Sequence, residues 1–230
     1  MIYLTGDTHI PIDIHRLNVK QFWEQRDMTR DDYVIVLGDF GLLWHRNREY
    51  LYWLTWLQQK PFTVLWLDGN HENHDWIQNL PVQTWHGGNV HFIADNIIHL
   101  MRGQIYDLQG KSFFVMGGAM SIDREFRAEG ESWWESEVPS QKEGRQGLDA
   151  IQHYHNNGKH IDYVLTHTCP GSIIHPMFQM HSAGDPTTDL LDTVREYVED
   201  EMEGWYFGHW HMNKDMGKYH CLYNKIKKLF

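Results

Sequence analysis

Five short apolar runs punctuate the chain, and each stops abruptly at a polar cluster. Ile2-Tyr3-Leu4 runs into Thr5-Gly6-Asp7-Thr8-His9, and Tyr33–Leu37 into Gly38-Asp39-Phe40-Gly41. Pro61–Leu67 leads to Asp68-Gly69-Asn70-His71-Glu72-Asn73 and Ile161–Leu165 to Thr166-His167-Thr168-Cys169-Pro170. Trp205-Tyr206-Phe207 is followed at once by Gly208-His209-Trp210-His211. Runs this short and this continuously apolar predict strands buried on both faces of a parallel sheet, with the polar clusters at its carboxyl edge. Helical spacing separates them. Ile14, Leu17, Phe22 and Trp23 predict a helix over residues 14–27, and Leu51, Trp53, Leu54, Trp56 and Leu57 one over Glu49–Gln59, stopped by Lys60-Pro61. Gln141–Asn157 reads as a helix closed by Asn157-Gly158, and Asp185-Pro186-Thr187 caps another running to about Glu203.

The pattern changes between Val90 and Gly118. Val90–Ala94, Ile97–Met101, Gln104–Leu108 and Ser112–Met116 are short strands with tight turns, which predicts antiparallel pairing. Residues 119–140 lose clean periodicity and form a candidate insertion or lid on what otherwise reads as a single domain spanning residues 1–230. Residues 171–184 read as irregular, and Met216–Phe230 as one more strand with a basic end.

Composition narrows the function. With 230 residues, 41% hydrophobic and 22% charged, the chain suits a globular α/β domain with a substantial core. Two cysteines cannot build a disulfide framework, so a reducing, cytoplasmic setting is expected. The amino terminus opens inside an apparent strand, with no charged leader, and no run approaches the ~18 apolar residues of a membrane span. A net charge of −11 argues against an extensive nucleic-acid surface. It leaves room for a small phosphorylated substrate, because a metal centre can reverse the sign locally. Seventeen histidines decide nothing by number; their placement does.

The strand ends collect Asp7, His9, Asp39, Asn70, His71, His167, His209 and His211. In extended chain, side chains at i and i+2 point the same way, so Asp7 and His9 can reach one ion. Imidazole, carboxylate and amide oxygen suit borderline-to-hard divalent ions such as manganese, iron, zinc or nickel. Seven ligands besides His71 are too many for one tetrahedral ion and suit two ions sharing a carboxylate. Taken singly, each residue is more often a hydrogen-bonded surface group; five apolar runs ending this way are not.

Asp7-Thr8-His9, Gly38-Asp39, Gly69-Asn70-His71-Glu72, Thr166-His167 and Gly208-His209-Trp210-His211 resemble, in order, the signature motifs of calcineurin-like metallophosphoesterases. The match spans residues 5–211 and looks most like the small bacterial and phage members. The resemblance implies a four-layer αββα sandwich with a dinuclear site at the carboxyl ends of the strands. It implies that Asp7, His9, Asp39 and His211 hold one ion, and that Asp39, Asn70, His167 and His209 hold the other, with Asp39 bridging. His71 would be the catalytic histidine near the leaving oxygen, with Glu72 orienting its ring.

Two-metal chemistry agrees: two ions clamp phosphoryl oxygens, neutralise an anionic substrate and provide a bridging hydroxide near neutral pH, while protonated His71 would serve the departing alkoxide. The expected function is hydrolysis of a phosphate mono- or diester of a small soluble substrate, a nucleotide being one candidate. A phosphodiesterase or nuclease acting on cyclic nucleotides or short oligonucleotides is the alternative. A non-catalytic protein-interaction scaffold is disfavoured because no ligand position has been lost.

Departures bear on substrate. Protein serine/threonine phosphatases carry an Asp-Arg pair soon after their second motif, whereas Gly38-Asp39 here continues Phe40-Gly41-Leu42-Leu43-Trp44. Lipid A-pathway hydrolases usually have Arg where His71 stands. Arg46, Arg48, Arg102, Arg124 and Arg127 are the candidates for another phosphate clamp, each with surface solvation as the plainer reading. Trp133 and Trp134 either pack the 119–140 segment or stack on a substrate ring. Cys169 reads as a packed thiol, and His175 and His181 as non-ligands.

Overall fold

The architecture comes from a computed structural model that describes residues 1–181 and 184–230. In chain order the elements are β1 (Ile2–Thr5), β2 (Tyr33–Leu37), α1 (Arg48–Gln58), β3 (Thr63–Leu67), α2 (His74–Gln78), β4 (Val82–Trp85), β5 (Gly88–Ala94) and β6 (Ile97–Leu100). They continue with β7 (Gln104–Leu108), β8 (Lys111–Met116), α3 (Gln141–Asn156), β9 (Tyr163–Thr166), α4 (Gly171–Phe178), α5 (Pro186–Val198), β10 (Gly204–Phe207), β11 (Lys214–Met216), β12 (Tyr219–Cys221) and β13 (Lys227–Lys228). One sheet runs β13-β1-β2-β3-β6-β5-β4 and the other β11-β12-β10-β9-β8-β7.

Alternation along the strands explains why the sheets stack. Leu4, Ile35, Leu37, Leu65 and Leu67 face Phe113, Val115, Tyr163, Leu165 and Tyr206 across the space between the sheets. The intervening side chains point outward. Val34, Val36, Val64 and Trp66 meet Ile14, Phe22, Trp53 and Leu57 on one outer face. Phe114, Val164, Trp205 and Phe207 meet Ile151, Ile173, Leu191 and Val194 on the other. Both faces of each sheet are therefore covered, which gives the mixed α/β sandwich of two sheets flanked by helices. It also explains the unbroken apolar character of β1, β2, β3 and β9. Burying each such side chain contributes about 1.5–3 kcal/mol.

Several boundaries differ from expectation. Residues 14–27 form two short 3-10 turns, Ile14–Leu17 and Trp23–Asp27. Asn18 breaks the helix between them: its backbone is extended and its side chain accepts the N–H groups of Lys20 and Gln21. The 171–184 stretch contains a helix, α4, whose buried Ile173, Ile174, Met177 and Phe178 pack it on the outer core, and it tolerates Pro176 near its end; residues 182 and 183 of that stretch lie outside the described residues. Strand β4 went unforeseen, and α5 ends at Val198, short of Glu203. The run Val90–Gly118 divides between sheets. Strands β5–β6 and β7–β8 pair antiparallel as expected, but β6 joins β3 and β8 joins β9 in parallel. The tail supplies β13, which pairs antiparallel with β1. Among the described residues no helix is long and apolar enough to cross a membrane.

One buried carboxylate secures the junction of β8 and β9. Asp162 accepts the Ser112 N–H and hydroxyl, each at 2.8 Å, and the Lys111 ammonium at 2.8 Å. Burial opposes its charge, but these donors outweigh burial and hold its pKa at about 2. The folded value lies below the unfolded one, so the stabilisation is complete above pH ~4 and is lost as pH falls toward ~2. Discounted for solvent screening at the half-exposed Lys111, it is worth about 1 kcal/mol. Asp162→Asn should therefore lower the unfolding free energy by about 1 kcal/mol at pH 7. The gap should close in denaturant melts repeated near pH 2, and a gap independent of pH would contradict this account.

Candidate metal centre

Strands β1, β2 and β3 are adjacent and parallel, as are β9 and β10, so their carboxyl ends lie at a common edge. Asp7, Asp39, Asn70, His167 and His209 follow these five strands within a few residues. The backbone there is bent hard. His9, Asp39, His209 and His211 have φ of 36°, 47°, 66° and 48°, in the left-handed region that non-glycine residues seldom occupy. Strain of this kind costs about 1–3 kcal/mol per residue and clusters at functional sites.

Two glycines make the convergence possible. A Cβ on Gly38 would fall 2.1 Å from His167 Nδ1, and one on Gly69 would fall 2.1 Å from Asp39 Oδ1 and 2.8 Å from His167 Nε2. Gly69 is needed for this space and not for a positive φ.

One ligand atom from each of Asp7, His9, Asp39 and His211 lies within 4.8 Å of the others. His9 Nε2 is 3.3 Å from Asp39 Oδ2. Beside this group, His167 Nε2 lies 3.0 Å from Asn70 Oδ1 and 3.4 Å from Asp39 Oδ1, and His209 Nδ1 lies 3.0 Å from the same Asn70 oxygen. The other nitrogen of His167, Nδ1, is 2.8 Å from the Leu37 carbonyl oxygen and donates its proton there. In a neutral ring the Nε2 lone pair then points at two oxygens. Where a cation takes the place of the ring protons, these lone pairs converge on it, and the donor set fits such an ion.

The electrostatics carry the same demand. Asp7 and Asp39 are buried together. Burial, joined by Asp39, raises the Asp7 pKa. Burial also opposes charge on Asp39, but His167 and His9 overcome it and hold that carboxyl well below its usual range. Against its own burial, His167 is pulled up to about 10 by Asp39 and Asp7, whereas burial and His167 push His209 down to about 3. The cluster draws in positive charge.

Supporting groups hold the set in place. The Asn70 NH₂ donates to Ser121 Oγ at 3.1 Å, and Ser121 donates its hydroxyl to Glu137 at 2.9 Å and its N–H at 2.6 Å. This chain turns the Asn70 carbonyl oxygen toward His167 and His209. Arg16, buried, donates to the Asp7 carbonyl at 3.0 Å. Asp68 pairs with Arg102 at 2.5 Å and His99 at 3.2 Å just before the Gly69 turn. Sequence reasoning missed Ser121, Glu137, Arg16 and Asp68, whose partners lie between 9 and 51 residues away.

The two residues expected to act on the leaving group part company. The His71 N–H donates to Asp39 Oδ1 at 2.8 Å, and its ring lines the cleft. Glu72 is not the group that orients that ring. Its buried carboxylate instead accepts the Phe40 N–H at 2.7 Å and the Gly41 N–H at 3.4 Å, bracing the loop that carries Asp39. Arg127 meets the His71 ring, with Nη1 3.0 Å from Nδ1. Burial and Arg127 lower the His71 pKa, against the pull of Asp39.

A cleft of about 540 Å³ opens over Asp39, Asn70, His71, His209 and His211. Of the five candidate clamp arginines, Arg127 alone lines it. Arg102 is held by Asp68, Arg124 by buried Glu137, and Arg46 lies over Trp76. Trp134 packs edge-on against Trp44, and Trp133 lies under Arg124, so both serve the packing of the 119–140 segment. Cys169 is a buried thiol whose pKa burial raises. Rings of His175 and His181 lie 5.5 Å apart, with His181 at the cleft.

A family model described as calcineurin-like phosphoesterase matches residues 1–213. A search of curated proteins gave no match.

If Ser121 fixes the Asn70 amide, Ser121→Ala should weaken manganese binding about tenfold, as loss of an outer partner typically does. Titration calorimetry measures this, and unchanged affinity would remove Ser121 from the orienting chain.

Proposed function

The chain belongs to the calcineurin-like phosphoesterase family, and from that premise we propose that it hydrolyses a phosphate mono- or diester of a small soluble substrate, using two divalent ions. The observation that carries the reading is the meeting of two donor groups on Asp39: Asp7, His9 and His211 on one side, and Asn70, His167 and His209 on the other. The first three with Asp39 would hold one ion, and the second three with Asp39 the other. When bound, such ions act as Lewis acids on phosphoryl oxygens and make a nucleophile available near neutral pH.

The chain's own residues supply the rest. Asn70 presents a neutral oxygen, so the carboxylates Asp7 and Asp39 are the only anionic ligands and the loaded centre stays positive toward an anionic substrate. His71 borders the cleft with its backbone tied to Asp39, so its ring stays beside the reacting ester. Beside an anionic ester, which would offset the lowering of its pKa by burial and Arg127, the ring would hold a proton and pass it to the departing alkoxide. Glu72, through Phe40 and Gly41, keeps the Asp39 loop in register. Manganese, iron, zinc and nickel all suit this donor set.

His71→Ala should lower kcat by about 10²–10³ for an alkyl phosphate, and much less for an aryl phosphate whose leaving group needs no proton. Metal content, measured by plasma mass spectrometry, should stay at that of the wild type. Loss of metal with the ring would make His71 a ligand and overturn its role as acid.

A further inference from the structure

The segment 119–140 places charge and apolar surface side by side over the metal centre. Arg127 reaches into the cleft, with Nη1 3.0 Å from His71 Nδ1 and 3.2 Å from the Ser132 carbonyl oxygen. Its Nη2 pairs with Asp123 Oδ2 at 2.7 Å. That partner is half exposed and only four residues away, so the pair is weak in water and exchanges readily for a stronger anion. Among the described residues Arg127 is the only arginine or lysine lining the cleft.

Another part of the same cleft is apolar. Ile122 is 78% exposed, and Met180 and Met212 are also exposed; all three line the same cleft from separate segments. Trp210 also lines the cleft, fixed by a stack on Phe178 with ring centroids 4.6 Å apart and planes 14° from parallel. Apolar side chains gathered and exposed beside a charged site mark a surface that a ligand covers. Methionine and isoleucine beside an indole pack well against a flat ring, methionine through sulfur–aromatic contact.

We propose that Arg127 is the protein's phosphate clamp and that Ile122, Met180 and Met212 form a lip selecting esters with an aromatic group, such as an aryl or nucleoside phosphate, over small polar ones such as glycerol phosphate. This rests on the hydrolytic reading above and adds the substrate class to it. The guanidinium leaves Asp123 for two phosphoryl oxygens, a geometry that arginine matches with paired N–H donors. The ring of the ester then lies on the lip and takes that apolar surface out of water.

Non-hydrolysable phosphonates separate binding from turnover. Calorimetry on the manganese-loaded full chain should show phenylphosphonate binding more tightly than methylphosphonate. Arg127→Ala should weaken both by about tenfold or more, with Arg127→Lys recovering part of the loss. The exposed pair Ile122→Ala/Met212→Ala should weaken phenylphosphonate about fivefold and cut its advantage over methylphosphonate by the same factor. Equal weakening of both ligands by the double variant would overturn the lip, and unchanged affinities in Arg127→Ala would overturn the clamp. Were the wild type to bind both phosphonates as described yet cleave none of phenyl phosphate, glycerol phosphate and a bis-aryl phosphodiester, the hydrolytic reading would fail while the recognition assignment stood.

Discussion

Two carboxylates buried side by side set the terms for the rest of the molecule. Asp7 and Asp39 are almost fully removed from water, at 0% and 1% exposure, and each raises the cost of charging the other. Buried anions are tolerated only where cations or donors are fixed around them. The chain supplies part of that compensation itself: His167 lies between them, the His209 N–H donates to Asp7, and the His71 N–H donates to Asp39. The remaining demand is for positive charge at the point where neutral lone pairs of Asn70 and His209 also gather. A divalent centre meets all of it at once, which is why a family of metal-dependent phosphoesterases can build its active centre in the interior edge of a sandwich.

Strand adjacency makes such crowding possible, and local strain is what it costs. Parallel neighbours lie under 5 Å apart, and where the candidate ligands turn toward one another at the strand ends a side chain at Gly38 or Gly69 would strike His167 or Asp39. The left-handed backbone at His9, Asp39, His209 and His211 then turns each side chain back over the sheet edge. Three apolar layers, one between the sheets and one outside each, hold the strands rigidly enough to keep those residues where isolated peptide would not go.

What the sequence made legible follows from range. The apolar runs, their polar ends and the ligand types at those ends are local patterns, and the residues they singled out do converge on one edge. Features that depend on distant partners were not legible. The break at Asn18 arises from its own side chain competing for Lys20 and Gln21, a local signal that the apolar spacing of 14–27 obscured. Helix α4 hid behind Pro176 because burial against the second sheet, not helix propensity, sustains it. Glu72 looked like the partner of its neighbour His71, yet a side chain next in sequence seldom faces the same way. It turned instead to backbone 32 residues earlier. Arg127 was one of five arginines until the fold paired or stacked three of the others elsewhere.

The 119–140 segment is fastened by buried hydrogen bonds near its ends and carries its most exposed side chains in between. Ser121 binds Asn70, Glu137 binds Ser121 and Arg124, and the carbonyls of Ser136 and Glu137 take the same Arg102 that anchors Asp68. The Met120 N–H joins Asp185, the N-cap of α5. At the base, Ser121 and Glu137 hold the Asn70 side chain in place. Between those anchors the chain has only 3-10 turns and a single bridge, Glu129 with Trp133, while Ile122, Phe126 and Arg127 project from it. On the proposed reading, a substrate would draw Arg127 off Asp123 without moving Ser121 or the amide it holds. On that reading, metal affinity and substrate selection would be separable although one segment carries both, because buried hydrogen bonds would fix the first and exposed, weakly paired side chains the second.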